Sequence, residues 1–170
     1  MHPQAYSFVR RVVRELNLSR ARILEFGSYN VNGSVRRLFQ NAPEYIGVDI
    51  RPGPDVDVVA DAAAIDGLGE FDIVVSCEVL EHTEEPECII DAAYRSLKPG
   101  GLLILTAAGP DREPHGCMGN AVGDEYYANI EADQLDLWLH DWERVVITED
   151  RDAGDVYAVA HRPEDECESC

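Results

Sequence analysis

Residues 71–109 read FDIVVSCEVLEHTEEPECIIDAAYRSLKPGGLLILTAAG, and this stretch decides the fold. FDIVVSCEVL is apolar on both faces, as a strand buried in the middle of a parallel sheet is. EPECIIDAAYRSLKPG reads as a helix, with Pro86 in its first turn and Pro99-Gly100-Gly101 ending it. GLLILTAAG is a second apolar strand. A strand, a helix and a strand in that order predict a βαβ unit and a mainly parallel sheet.

The same alternation extends toward the N-terminus. Ala5, Phe8, Val9, Val12, Val13 and Leu16 fall at helical spacing within residues 3–17. ARILEF (21–26) reads as a short buried strand, and NGSVRRLFQ (32–40) as a helix with Asn32 or Ser34 near its cap. EYIGVDI (44–50) reads as a second strand ending on Asp49, and RPGP breaks the chain after it. VDVVADA (56–62) reads as a third, ending on Asp61. Toward the C-terminus, residues 109–129 form a long loop rich in Gly, Pro, Asn and Asp, a length usually tied to function. EADQLDLWLHD (131–141) is amphipathic and helical. WERVVITED and DVYAVAHR then predict an antiparallel hairpin at the sheet edge, turning near Gly154.

Composition narrows the function. With 33 acidic and 14 basic residues among 170, the net charge is −19, a surface that repels phosphate backbones. Nucleic acid is not expected as a partner. No apolar run approaches the roughly 20 residues that cross a bilayer, and the N-terminal segment lacks the continuous apolar core of a secretory signal. A cytoplasmic protein without membrane contact, monomeric or homodimeric, is the expectation. Five cysteines, an odd number, suit reduced thiols. Cys167 and Cys170 form a C-x-x-C pair that offers two ligands where tetrahedral zinc wants four. One domain is expected over residues 1–162, with an N-terminal helix within 1–18, a substrate loop and helix within 109–140 and a flexible acidic tail at 163–170.

In a doubly wound sheet, ligands bind at the carboxyl ends of the strands. Gly27 permits a sharp turn after the first strand, and the segment behind it presents unpaired N–H groups. Glu25, Asp49 and Asp61 place an acid at the end of each of the first three strands. Asp49 is placed for both hydroxyls of a ribose, and Asp61 for an adenine amino group. The loop G-S-Y-N-V-N-G departs from the G-x-G-x-x-G that a dinucleotide pyrophosphate requires. This edge suits a positively charged nucleoside without phosphates.

Over residues 20–108 the chain resembles the class I S-adenosylmethionine-dependent methyltransferases, of the small-molecule, type 11 kind. ILEFGSYNVNGS is similar to their cofactor loop, YIGVDI to their ribose-binding strand end and VVADA to their adenine-side segment. The LKPGG turn before a buried strand is especially typical of them. Tyr29 and Asn30 stand where many members have glycine. The resemblance implies a Rossmann-like α/β fold: a doubly wound, seven-stranded, mainly parallel sheet whose last strand inserts antiparallel beside the fifth. It implies S-adenosylmethionine as cofactor, S-adenosylhomocysteine as product and a small-molecule or glycan acceptor. It assigns Glu25 and Gly27 to the methionine portion, Asp49 to the ribose, Asp61 with Ala62 to the adenine, and Glu78 to the vicinity of the methyl group. Phe26, Ser28, Asn30, Gly33, Ile50 and Cys77 complete the cofactor set, the Cys77 thiol being chemically inert within an apolar strand.

EVLEH offers a sharper motif. If the segment turns helically, Glu78, Glu81 and His82 share a face and suit Mg²⁺ or Mn²⁺. The pattern is similar to one that holds metal in ubiquinone-pathway O-methyltransferases and in small-RNA 2′-O-methyltransferases. His115 or His140 would supply a further ligand. In metal-free relatives the same E-H pair caps the next helix and lines the cofactor pocket, with Thr83 here as N-cap, and the metal-free reading is the one adopted. The expected catalytic groups are His115, Glu78 and His82, with His115 as base toward a hydroxyl; a surface loop histidine is the alternative. Of Tyr126 and Tyr127, one is expected to pack and one to face the pocket; Trp138 and Trp142 belong to the core. Two rival readings stand beside the transferase: another nucleotide-binding α/β enzyme such as a dehydrogenase, and a methyltransferase-like binding domain without activity.

Overall fold

A computed structural model describes residues 2–165; Cys167 and Cys170 lie outside the described residues. The order is α1 (Pro3–Glu15), β1 (Ile23–Phe26), β2 (Tyr45–Asp49), β3 (Val58–Val59), β4 (Phe71–Cys77), α2 (Pro86–Ser96), β5 (Leu97–Ala108), α3 (Ala132–Trp138), β6 (Glu143–Asp150) and β7 (Asp155–His161). The seven strands form one sheet in the order β3-β2-β1-β4-β5-β7-β6. β1 to β5 pair in parallel, and β7 runs antiparallel between β5 and β6. This is the seven-stranded α/β architecture that the sequence predicts, hairpin included.

The period of two along the strands, broken in β4 by an irregularity between Phe71 and Ile73, builds two cores. Leu24 and Phe26, Phe71 and Val74, Leu103 and Leu105 point to the face covered by α2 and α3. Ile23, Ile73 and Val75, with Leu102 and Ile104, point to the face covered by α1, where Phe8 stacks on Tyr157 with ring centroids 4.5 Å apart. Trp142 is buried in the first core and Trp138 packs against it.

Three elements differ from expectation. Residues 32–40 form only a five-residue 3₁₀ turn, Val35–Phe39, capped by Ser34, whose hydroxyl accepts from Arg36 N at 3.0 Å. Pro43 stops the segment before two full α turns can close. β3 has two residues, because the Asp57 carboxylate accepts from Gly47 N at 2.8 Å and takes that donor from the strand ladder. Asp61 therefore stands beyond β3 and caps the 3₁₀ turn Ala62–Ala64 through a 2.9 Å bond from Ala63 N. Lastly, α2 ends at Ser96, and LKPGG already belongs to β5, whose register against β4 shifts between Phe71 and Ile73. Among the described residues no helix is long and apolar enough to cross a membrane.

Candidate active site

The carboxyl ends of β1, β2 and β4 open into a cavity of about 670 Å³. Of the predicted residues, Glu25, Gly27, Ser28, Gly33, Asp49, Ile50, Asp61, Ala62, Cys77, Glu78, His82 and His115 line it. Two predicted cofactor residues do not. Phe26 is fully buried in the core under α2, because strand alternation turns it away from the face of Glu25. Asn30 is spent on holding its loop: its amide donates to Asp55, in the connection after β2, at 2.7 Å and its oxygen accepts from Gly33 N at 2.8 Å.

Gly27 makes the turn that opens the cavity. Its φ is +72°, and a Cβ there would collide with the Val79 side chain. Its N–H and that of Ser28 both donate to Val48 O, at 2.9 and 3.0 Å, tying the loop to the end of β2. Glu25 is 2% exposed and accepts from the Tyr45 hydroxyl at 2.8 Å. Burial pushes its carboxyl up to about 7. The Asp49 carboxylate accepts from Tyr29 N at 3.1 Å and Arg51 N at 3.0 Å, one bond on each oxygen, which fixes its plane and leaves a lone pair on each.

Beyond β4 the backbone reverses at Glu78, whose φ of +57° is left-handed and rare for a residue with a side chain. A short 3₁₀ turn, Leu80–His82, follows. This geometry breaks the shared face expected of Glu78, Glu81 and His82. Glu78 turns to the β5 side, where Thr106 donates at 3.0 Å and Arg112 at 3.4 Å. Glu81 is completely buried; one oxygen accepts from Ala108 N at 3.3 Å and the other has no partner. Burial, and then the charge of Glu78, hold the Glu81 carboxyl well above its usual range.

His115 takes the place expected of Glu78. One donor atom each from Glu81, His82 and His115 lies within 4.8 Å of the other two. The two imidazoles stand edge to face at 5.2 Å, and Tyr127 closes against both, at 5.6 and 5.1 Å. Tyr127 thus faces the histidines while Tyr126 is exposed. Burial depresses His82 to about 4, so its ring is neutral at pH 7, and its Nδ1 is buried without a partner. His140 is elsewhere, on the surface after α3, bonded to Leu137 O and paired with Asp141.

Sequence reasoning missed a buried charge network on the opposite wall. Arg112 donates to both Asp155 and Glu78, while Asp155 also accepts from the Tyr157 hydroxyl at 2.8 Å and lies 3.1 Å from His2 Nδ1. Its members come from the N-terminus, the turn after β4, the loop after β5, and β7, and no local pattern joins them. Tyr29 and Arg51, also in the wall, carried no signal beyond their place beside Gly27 and Asp49.

A glycine turn and three acids at or just beyond the ends of the first three strands, around one cavity, are the parts of a nucleoside site at the edge of a doubly wound sheet. The family model described as "Methyltransferase domain" matches residues 1–149. The chain belongs to the methyltransferase domain family. The fold agrees: this methyltransferase domain superposes on 1,6-didemethyltoxoflavin-N1-methyltransferase from Burkholderia thailandensis, solved with S-adenosylhomocysteine, with a TM-score of 0.70 at 14% identity, covering 94% of this chain and 79% of that one. It superposes on the amino pentose methyltransferase CalS10 from Micromonospora echinaspora, solved with S-adenosylmethionine, with a TM-score of 0.69 at 18% identity, covering 94% and 90%. In sequence it is 33% identical over 89 residues to a ubiquinone biosynthesis O-methyltransferase of Psychrobacter cryohalolentis, covering 52% of this chain and 32% of that protein. To the enzyme of the same name from Pseudomonas paraeruginosa it is 29% identical over 115 residues, covering 62% and 47%. The chain therefore spans less than half the length of these two relatives.

Proposed function

We propose that this methyltransferase domain binds S-adenosylmethionine in the 670 Å³ cavity and methylates a hydroxyl of a small-molecule or sugar acceptor. The observation that carries the reading is the set of three acids, Glu25, Asp49 and Asp61, around one cavity with His82 and His115 in its wall. The residues fit the cofactor. Asp49 keeps a free lone pair on each oxygen for the two ribose hydroxyls. Asp61 and Ala62 supply the adenine side, and Glu25 and Gly27 the methionine side. Bound, the cofactor supplies an electrophilic methyl group on a positively charged sulfur.

The chain's own groups align, shield and take up a proton. His115 Nδ1 lies 3.2 Å from Glu113 O; in the tautomer that donates there, Nε2 is free to accept the hydroxyl proton. His82, held near 4, is a poor base at pH 7 and serves as a neutral polar wall. Glu78 is occupied by Thr106 and Arg112 and orients the loop rather than acting as base. Similarity to ubiquinone biosynthesis O-methyltransferases favours oxygen as the acceptor atom, and the amino pentose enzyme favours a sugar-sized acceptor. The test is transfer of an isotopically labelled methyl group from S-adenosylmethionine to a panel of hydroxylated sugars, phenols and hydroxy acids. Labelled product from wild type, and loss of it in His115→Asn, supports the reading; labelling of amines alone argues against a hydroxyl acceptor.

A second reading has its own observation. Glu81, His82 and His115 each bring one donor atom within 4.8 Å of the other two, a set suited to a divalent cation, and Glu81 and His82 each carry a buried polar atom without a hydrogen-bond partner, Oε2 and Nδ1. A cation there would favour the ionised form of Glu81 against the burial that favours the neutral one, and would acidify a bound hydroxyl. Manganese titration of wild type and Glu81→Gln, followed by electron paramagnetic resonance, separates this reading from a metal-free histidine wall.

A further inference from the structure

One arginine in the cavity wall bears on the class of acceptor, and the argument for it rests on the function just proposed. Arg51 follows Asp49 by two positions and lines the cavity. Its main-chain N–H is held by Asp49, and its guanidinium lies over the Tyr29 ring, 5.5 Å from the centroid, within the range of cation–π attraction. Tyr29 is itself seated on Gly53, where a Cβ would strike the ring. The side chain is thus ordered before any ligand arrives, which lowers the cost of binding one.

Among the described residues, however, its guanidinium is not engaged in a direct ion pair. The other half-buried basic groups are engaged: Arg22 pairs with Glu44, Arg36 with Asp57, Lys98 with Asp72 and Arg112 with two carboxylates, and Arg162 donates to the Tyr94 and Leu97 carbonyls. Among the described residues no carboxylate forms an ion pair with Arg51, and its Nε is buried without a hydrogen-bond partner. The Cys117 thiol reaches the guanidinium, but sulfur is a weak acceptor. The field of Arg51 is felt at His82 and Glu125 as well, which puts the charge on the histidine side of the cavity.

We propose that the acceptor carries an oxyanion, a carboxylate or a phosphate, that pairs with Arg51 while the hydroxyl to be methylated lies at His82 and His115. A planar guanidinium suits either anion as a bidentate partner. The acidic surface repels anions at a distance, so Arg51 selects by short-range pairing rather than by steering.

The test is calorimetric titration of the protein loaded with S-adenosylhomocysteine, wild type and Arg51→Gln. Two probe pairs are used, hydroxybenzoate against hydroxybenzamide and glycerol phosphate against glycerol. The charged member of at least one pair should bind wild type about ten- to hundredfold more tightly than its neutral counterpart. Arg51→Gln should erase that preference with S-adenosylhomocysteine affinity unchanged. Which pair responds distinguishes carboxylate from phosphate. Equal binding within both pairs, a preference that survives in Arg51→Gln, or no binding of any probe overturns the proposal. So does a tenfold loss of S-adenosylhomocysteine affinity in Arg51→Gln with methylthioadenosine affinity retained, since Arg51 would then pair with the cofactor's own carboxylate. If wild type fails to bind S-adenosylhomocysteine at all, the cofactor reading itself falls, an outcome distinct from each of these.

Discussion

Val79 fills the space that a side chain on residue 27 would need. The turn after β1 and the turn after β4 are therefore fitted to one another, and the cavity mouth depends on both. Gly27→Ala adds a methyl group against Val79 and places it on a left-handed backbone. The variant should lose about 1–3 kcal/mol of stability and at least tenfold in S-adenosylhomocysteine affinity. Urea denaturation and calorimetry measure the two. Gly27→Ala with unchanged affinity would separate the turn from the binding site.

Asp49 is held by two backbone N–H groups and offers its remaining lone pairs to the cavity. Asp49→Asn removes the charge and one acceptor oxygen. Affinity for S-adenosylhomocysteine should fall about ten- to hundredfold, the worth of charge-assisted bonds to two hydroxyls, and the affinity for free adenine should change much less. Equal losses for both ligands would place Asp49 away from the ribose.

Glu25 sets a pH dependence whose sign follows from its burial. Its carboxyl is pushed from 4.5 to about 7 in the folded protein, so between those values the folded state keeps a proton that the unfolded chain has released. Stability should fall as pH rises from 4.5 to 7, by up to about 3 kcal/mol from this one group. Glu25→Gln should flatten the slope while retaining the acceptor for the Tyr45 hydroxyl. Denaturant midpoints measured across that range for both proteins provide the check, and a slope unchanged by the substitution would show that Glu25 is not its source.

Arg112 holds two buried carboxylates, with Asp155 fully enclosed and Glu78 nearly so. Arg112→Met leaves both without their cation and should cost about 3–5 kcal/mol at neutral pH. Because part of the loss comes from an uncompensated Glu78, whose carboxyl is already pushed up by burial, it should shrink as the pH is lowered and Glu78 takes up a proton. Adding Asp155→Asn to Arg112→Met should restore part of the stability. A pH-independent loss would assign the effect to packing.

The apolar runs and their terminal acids were legible because strand period and burial coincide in a parallel sheet: FDIVVSC and GLLILTAA are core on both faces. The same period, applied to ILEF, turns Phe26 away from Glu25, so its misplacement in the cofactor set was correctable from sequence. The EVLEH motif was legible only in part: Glu81 and His82 do meet His115, but Glu78 leaves their face. Its helical reading assumed an ordinary backbone, and the left-handed Glu78 breaks it, something a non-glycine residue does not announce. His115 entered the cluster in its place through the path of the loop at 109–129, and Arg112 met Asp155 the same way. Contacts made by loop trajectory between distant segments leave no periodic trace.

The most direct test of the central claim is calorimetric titration of S-adenosylhomocysteine into the purified protein. The three acids around the cavity predict one site of micromolar or tighter affinity, weakened at least tenfold in Asp49→Asn. No binding by wild type would contradict the claim and leave a methyltransferase fold without its cofactor.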